Sequence, residues 1–303
     1  MFPDHRPRSF LDAQVLSRLA AVPLHARRPM LGNVSGRHAS PHRGTSVEFA
    51  EYRKYVPGDD LRRLDWRAFG RSDRFYVKEF EADTNLRLCL VVDTSGSMNF
   101  GSTGVTKIEY ARKLAASLGY LALQQGDAVG LSCVAKGIVK SLPPKRNPAH
   151  LMTFFDLLEQ TEPQGETHLA TVLHELAETI RQRALIVILS DMFIEPEILR
   201  GCFQHLRFRK HDVSVLHLLD PLETSFTFRR PMRFLDLEGG PSIFAEPNEI
   251  ADRYLKALQI YLDGLRQVML ETAVDYHRIS IEESYEQVLM RLLVGRTRTK
   301  ATR

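Results

Sequence analysis

The chain is poor in cysteine, with three among 303 residues, and it has a single tryptophan. Three thiols at no paired spacing exclude a disulfide framework and point to a reducing compartment. Cys89 and Cys133 sit in strand-like runs and Cys202 in a helix-like one, so all three read as buried filler. No apolar run approaches the roughly 18 residues a membrane-crossing helix needs. The opening "MFPDHRPRSF" also lacks the apolar segment of a signal peptide. A cytoplasmic location is the expectation. Catalytic signatures are missing too: there is no Gly-x-Ser-x-Gly elbow and no phosphate-binding loop.

Acidic residues are scarce at both ends. Residues 1–45 hold seven arginines against two aspartates, and residues 291–303 hold five basic residues and no acid. The net charge of +4 therefore comes from the termini, and the stretch between them is net acidic. A basic end can hold nucleic acid or an anionic membrane surface. Here the ends lack aromatic interleaving and any nucleic-acid motif, so solvated tails or docking arms are expected and no specific nucleic acid. Peripheral membrane contact through these ends stays open.

What is present is an alternation of strands and helices. "LRLCLVVD" (86–93) and "ALIVILSD" (184–191) read as strands buried on both faces, and each ends on an aspartate. Between them, Ile108, Ala111, Leu114, Ala115, Leu118 and Leu121 repeat at helical spacing, as do Leu169, Val172, Leu173, Leu176 and Ile180. "AVGLSCVA" and "GIVKSL" suggest two strands joined at Lys136-Gly137. Pro196 suits the first turn of a helix carrying Ile198, Leu199, Cys202, Phe203 and Leu206. "VSVLHLLD" and "MRFLDLEG" are read as further strands, followed by a long helix over roughly 247–274 and a last strand and helix. Such alternation predicts an α/β fold: a doubly wound, mostly parallel sheet with helices on both faces. "RFYVKEF" within 44–85 alternates like an edge strand, giving a small β-containing N-terminal appendage.

Ligands of doubly wound sheets gather at the carboxyl ends of the strands, where Asp93 and Asp191 are placed. After Asp93 come hydroxyls at alternate positions, Ser95 and Ser97, with Gly96 between. That spacing suits a loop curling round a point better than one face of a helix. Carboxylate and hydroxyl oxygens are hard donors, matched to Mg²⁺ or Mn²⁺ and not to zinc. Mg²⁺ takes six oxygens, so donors from elsewhere are needed. Thr167 in "GETHL" and Asp191 are the candidates. If the two buried strands are neighbours, their aspartates repel unless a cation or proton lies between them. Taken singly, each of these residues is also a favoured cap or turn former. An EF-hand fails, because its third, fifth and twelfth positions are Ser95, Ser97 and Gly104. An aspartic protease fails for want of a second Asp-Thr-Gly-like loop.

The ordered set Asp93, Ser95, Ser97, Thr167 and Asp191 resembles the metal-ion-dependent adhesion site of the von Willebrand factor type A domain, over roughly residues 84–240. A second stretch resembles the bacterial family called domain of unknown function fifty-eight, on Arg43–Phe49, Pro57–Asp60 and Arg63–Trp66. Many members carry two membrane helices upstream; none is read in this sequence, so the membrane-anchored version is not assumed. The resemblance implies a non-enzymatic protein-binding module with Mg²⁺ (or Mn²⁺) at its centre, the metal completed by an Asp or Glu of a partner or client protein. It also implies a MoxR-type AAA+ ATPase as partner. A metal-dependent phosphoester hydrolase, with His168 as base, and nucleic-acid binding through the basic ends are the alternatives. The expected organisation is a basic arm over 1–43, an appendage packed on the sheet over 44–85, the type A domain over 86–240, a helical extension completing it over 241–295, and a basic tail over 296–303.

Overall fold

The computed structural model describes residues 8, 10–24, 48–54, 69–71, 75–81 and 86–301. These fall into two compact units, one within residues 28–86 and the other made of the rest. The smaller unit contains an antiparallel pair, β1 (Glu48–Lys54) and β2 (Tyr76–Glu81), whose register slips between Phe49 and Glu51. "RFYVKEF" was expected to feed the main sheet as an edge strand. It is hydrogen-bonded to β1 instead, in a two-stranded sheet of its own. The motifs Pro57–Asp60 and Arg63–Trp66 and most of Arg43–Phe49 lie outside the described residues.

The larger unit is built on β3 (Arg87–Asp93), β4 (Ala128–Val134), β5 (Ile138–Lys145), β6 (Leu185–Ser190), β7 (Asp212–Leu219) and β10 (Asp275–Ser280). Their spatial order is β10-β7-β6-β3-β4-β5, all parallel except β5, which runs antiparallel to β4. β6 and β7 are buried along their whole length, because apolar side chains on both faces need a helical layer on each side. β5 instead alternates half-buried with exposed positions and carries Pro143 and Pro144, as befits an edge.

One face is covered by α1 (Ala13–Leu19), α2 (Lys107–Gln124), α3 (Pro148–Glu159) and α8 (Tyr285–Ala301). The other is covered by α4 (Leu169–Thr179), α5 (Pro196–Phe208) and α7 (Pro247–Glu271), whose apolar stripes share a core with Cys89, Val91, Ile186, Ile188, Val213 and Val215. The predicted stripes are found where expected, except that Ile198 lies off the α5 stripe and is half exposed. All three cysteines are buried free thiols. At ~1.5–3 kcal/mol for each fully buried large apolar side chain, this two-sided core is what holds the sheet rigid beneath its loops.

Three expectations are corrected. "MRFLDLEG" adds no strand to the main sheet: only β8 (Met232–Phe234) is extended, and it pairs with β9 (Ile243–Ala245) in a separate hairpin. The run ends at once because the Asp236 side chain accepts from the Glu238 amide at 2.8 Å and turns the chain. The N-terminal arm is no solvated tail over residues 10–24. Asp12 caps α1, Leu19 and Leu24 are fully buried, and Arg8 is ion-paired to Asp156 and Glu159. Nor does a tail begin at residue 296. The helix α8 continues through it, and Arg296 is buried between Asp212 and Asp275, 3.3 Å from each. Residues 1–7, 9, 25–43 and 302–303 of the expected arm and tail lie outside the described residues. Among the described residues no helix is long and apolar enough to cross a membrane.

Candidate metal centre

From β3 the chain winds through α2 to β4 on one side, and it later returns through α4 to β6 on the other. The carboxyl ends of β3 and β6 therefore flank the point where the winding reverses, the crevice in which such sheets bind ligands. Asp93 ends β3, and Asp191 follows the last residue of β6. Both are 1% exposed. The parallel register, Val92 beside Leu189, puts Ser190 next to Asp93, with Asp191 one residue on. Ser190 Oγ donates to Asp93 Oδ2 at 2.6 Å, and the Ser95 amide donates to Oδ1 at 3.0 Å.

The hydroxyls do not cap helices. Ser95 occupies the N-cap position of a 3-10 turn, Gly96–Asn99, but makes no side-chain cap bond. Its Oγ lies 3.1 Å from Ser97 Oγ instead. Thr167 is not the cap of α4 either, since His168 holds that position. Thr167 Oγ1 is buried and has no hydrogen-bond partner. Its loop is laced to the Ser95 loop by Gly96 N to Gly165 O at 2.8 Å and Gln164 N to Thr94 O at 2.9 Å. The five residues read from the sequence thus come to one rim. A buried hydroxyl left unpaired costs about 1–3 kcal/mol, and here that cost is carried in a loop laced to the one that follows Asp93.

Electrostatics sharpen the picture. Burial, then the neighbouring Asp191 charge, pushes the Asp93 carboxyl up to about 6, while the hydrogen bonds from Ser190 and Ser95 pull it back. No cation among the described residues is ion-paired to Asp93. Asp191 has one: the fully buried Lys107 places Nζ 2.7 Å from Asp191 Oδ2 and 2.7 Å from Glu223 Oε1. Burial alone would lower the Lys107 ammonium. Asp191 and then Glu223 outweigh that effect and hold it above its usual value. Glu223 is itself raised by burial, which its pairing to Lys107 only partly offsets. One ammonium therefore does not neutralise the rim.

Several of these residues were not foreseen. Lys107 opens α2, where a cation opposes the helix dipole; that misplaced charge was its only signal in the sequence. Glu223 and Asp220 form the capping box of α6 (Pro221–Ser225). Asp220, at the end of β7, also accepts from the Ser102 amide and hydroxyl at 2.7 and 2.6 Å. Three adjacent parallel strands thus run into aspartates. Beyond Asp191 the chain turns sharply: Met192 is left-handed at φ 56°, with its amide on Ser190 Oγ and its carbonyl accepting from the Tyr261 hydroxyl. Strain of this kind gathers at functional turns.

Two carboxylates and three hydroxyls on one buried rim are a donor set suited to Mg²⁺ or Mn²⁺. One Asp191 oxygen is engaged by Lys107. These five residues would hold such a cation, and six-coordinate Mg²⁺ would then have one position open. His168, the nominated base of a hydrolase, is half exposed and faces Glu166 at 3.9 Å.

Comparison with known proteins agrees with the sequence motifs. The mycobacterial relatives include an uncharacterised protein of Mycobacterium tuberculosis, 28% identical over 233 residues, covering 76% of this chain and 73% of that protein. The uncharacterised protein YeaD of Bacillus subtilis is 33% identical over 104 residues, 34% of this chain and 24% of its own length. Among solved structures, an aerotolerance-related membrane protein from Bacteroides fragilis is 19% identical over 71% of this chain and 100% of that chain, with a TM-score of 0.48. The VWA domain of SpRpn10 is 12% identical over 69% and 95%, with a TM-score of 0.39. The family model described as "Protein of unknown function DUF58" matches residues 51–256, more than half of the chain. The chain belongs to the DUF58 family.

Proposed function

We propose that this protein is a non-enzymatic binding module in which Mg²⁺ or Mn²⁺, held by Asp93, Ser95, Ser97, Thr167 and Asp191, receives an acidic side chain from a partner protein. The observation that carries this reading is the buried Asp93 beside Asp191, with no cation paired to it among the described residues, and the Thr167 hydroxyl on the same rim, likewise without a partner among them. Two buried carboxylates at adjacent strand ends are costly unless a cation joins them. The metal would supply a Lewis-acidic docking point. The chain's own residues hold it, orient it and keep water from all but one side. His168, the nominated base of a hydrolase, is half exposed and faces Glu166 at 3.9 Å, which does not favour that alternative.

The resemblance read in the sequence supports a partner class: a MoxR-type AAA+ ATPase, together with a client presenting Asp or Glu. The test is affinity capture from the native host with and without a chelator, using the wild type and Asp93→Ala. Metal-dependent retention of an AAA+ ATPase, lost in the variant, supports the reading. Retention that is indifferent to both chelator and substitution contradicts it.

A further inference from the structure

The rim is not bare. The loop joining β8 to β9, residues 235–242, crosses directly over the Ser95–Ser97 turn. A Cβ placed on Gly96 would lie 2.0 Å from the Leu237 carbonyl oxygen, so only glycine permits this approach. One residue on, Glu238 Oε2 accepts from the backbone amide of Thr167 at 3.1 Å. A carboxylate from within the chain thus sits on the residue whose hydroxyl is buried and unpaired.

The loop is built to present that carboxylate. The Asp236 side chain holds the Glu238 amide at 2.8 Å, and Gly239 supplies the left-handed turn at φ 96°. Its base is fixed by aromatic packing: Phe234 stacks on Phe226 at 5.8 Å and meets Phe228 edge-on at 5.3 Å. Among the described residues, one hydrogen bond ties the tip to the body, Glu238 Oε2 with the Thr167 amide. The hairpin beneath it has three residues a side, and a lone two-stranded ribbon is marginal in water. Leu235 and Leu237 on the loop are largely exposed, as are Ile243 and Phe244 on β9. A short hairpin, a tip tied down by one hydrogen bond and an acid at that tip describe a displaceable cover.

Resting on the metal reading above, we propose that Glu238 is the site's internal acidic ligand, occupying the position that a partner's carboxylate takes, so that partners bind only by displacing the 235–242 loop. A tethered group competes at an effective concentration of about millimolar. Weak or isolated carboxylates are thereby rejected. A partner that also covers the exposed apolar side chains of the hairpin can lift the loop.

The test uses Mn²⁺ as probe and acetate as the free carboxylate, on the full chain, with water-proton relaxation reporting the waters left on the ion. In wild type, relaxation enhancement should be low and insensitive to acetate. In Glu238→Ala and Glu238→Gln it should rise by about one coordinated water, and acetate should reverse the rise at a concentration roughly tenfold below any effect on wild type. Glu238→Gln keeps an oxygen acceptor for the Thr167 amide, so loop disruption is separated from loss of charge. Equal enhancement and equal acetate response in wild type and both variants, with Mn²⁺ binding abolished by Asp93→Ala, overturns the proposal while leaving the metal site standing. Absence of Mn²⁺ binding in wild type overturns both.

Discussion

The two ends of one sheet handle buried acid in opposite ways. At the amino end, Asp212 opens β7 and Asp275 opens β10, and both face the same guanidinium, that of Arg296. At the carboxyl end, Lys107 reaches Asp191 and Glu223 but leaves Asp93 to a hydroxyl and an amide. The first rim carries its cation covalently, on a helix that cannot leave. The second keeps a carboxylate, Asp93, to which no cation among the described residues is ion-paired. Structural ion clusters are closed by the chain itself, whereas a binding site leaves a charge for something that comes and goes.

Removing the tethered cation should have the largest effect. Arg296→Met removes the guanidinium that two buried carboxylates share and should cost about 3–5 kcal/mol, read as a lower urea midpoint that Mg²⁺ does not restore. A variant as stable as wild type would erase the contrast. Lys107→Met comes next. It should destabilise the metal-free protein by about 2–4 kcal/mol, yet tighten Mn²⁺ binding, because the remaining acids then have no competitor for the ion. Calorimetry showing weaker Mn²⁺ binding in that variant would mean that Lys107 orients Asp191 for the metal and does not compete with it.

Smaller effects sharpen the same comparison. Ser190→Ala removes the donor to Asp93 Oδ2 and should cost about 1 kcal/mol in denaturant melts. Acidity provides another handle. With the folded-state value of Asp93 raised to about 6 from the usual 3.8, the native state binds its proton more tightly than the unfolded chain. Linkage then requires the metal-free protein to lose stability from this group as pH rises between about 4 and 6. Metal affinity should run the other way, falling as pH drops below about 6, since the ion needs the ionised carboxylate. Asp93→Asn should flatten both trends in pH-dependent melting.

How much of this was legible beforehand depended on range. Continuous apolar runs such as "LCLVV" and "LIVIL" announce strands buried on both faces, and the aspartates that end them mark the rim without any coordinates. The hydroxyls gained meaning only as an ordered set, because each alone is a common cap. Lys107 was hidden because its partners lie 84 and 116 residues away, and no local pattern records such a pairing. Glu238 was hidden in a turn mistaken for the end of a strand. Arg296 was counted as part of a basic tail since charge composition cannot distinguish a solvated arginine from a buried one. The helix α1 is seven residues long and owes its existence to packing by Val15, Leu16 and Leu19, with little propensity signal of its own.

The most direct measurement is thermal melting across a Mg²⁺ or Mn²⁺ titration, on wild type and Asp93→Ala. At a hundredfold excess over the dissociation constant, one site adds about 2.7 kcal/mol, a rise in Tm of about 5 °C or more for a domain of this size. The account predicts a saturable rise in wild type and none in the variant. Identical melting curves with and without millimolar metal in wild type, or an equal rise in both proteins, would contradict it.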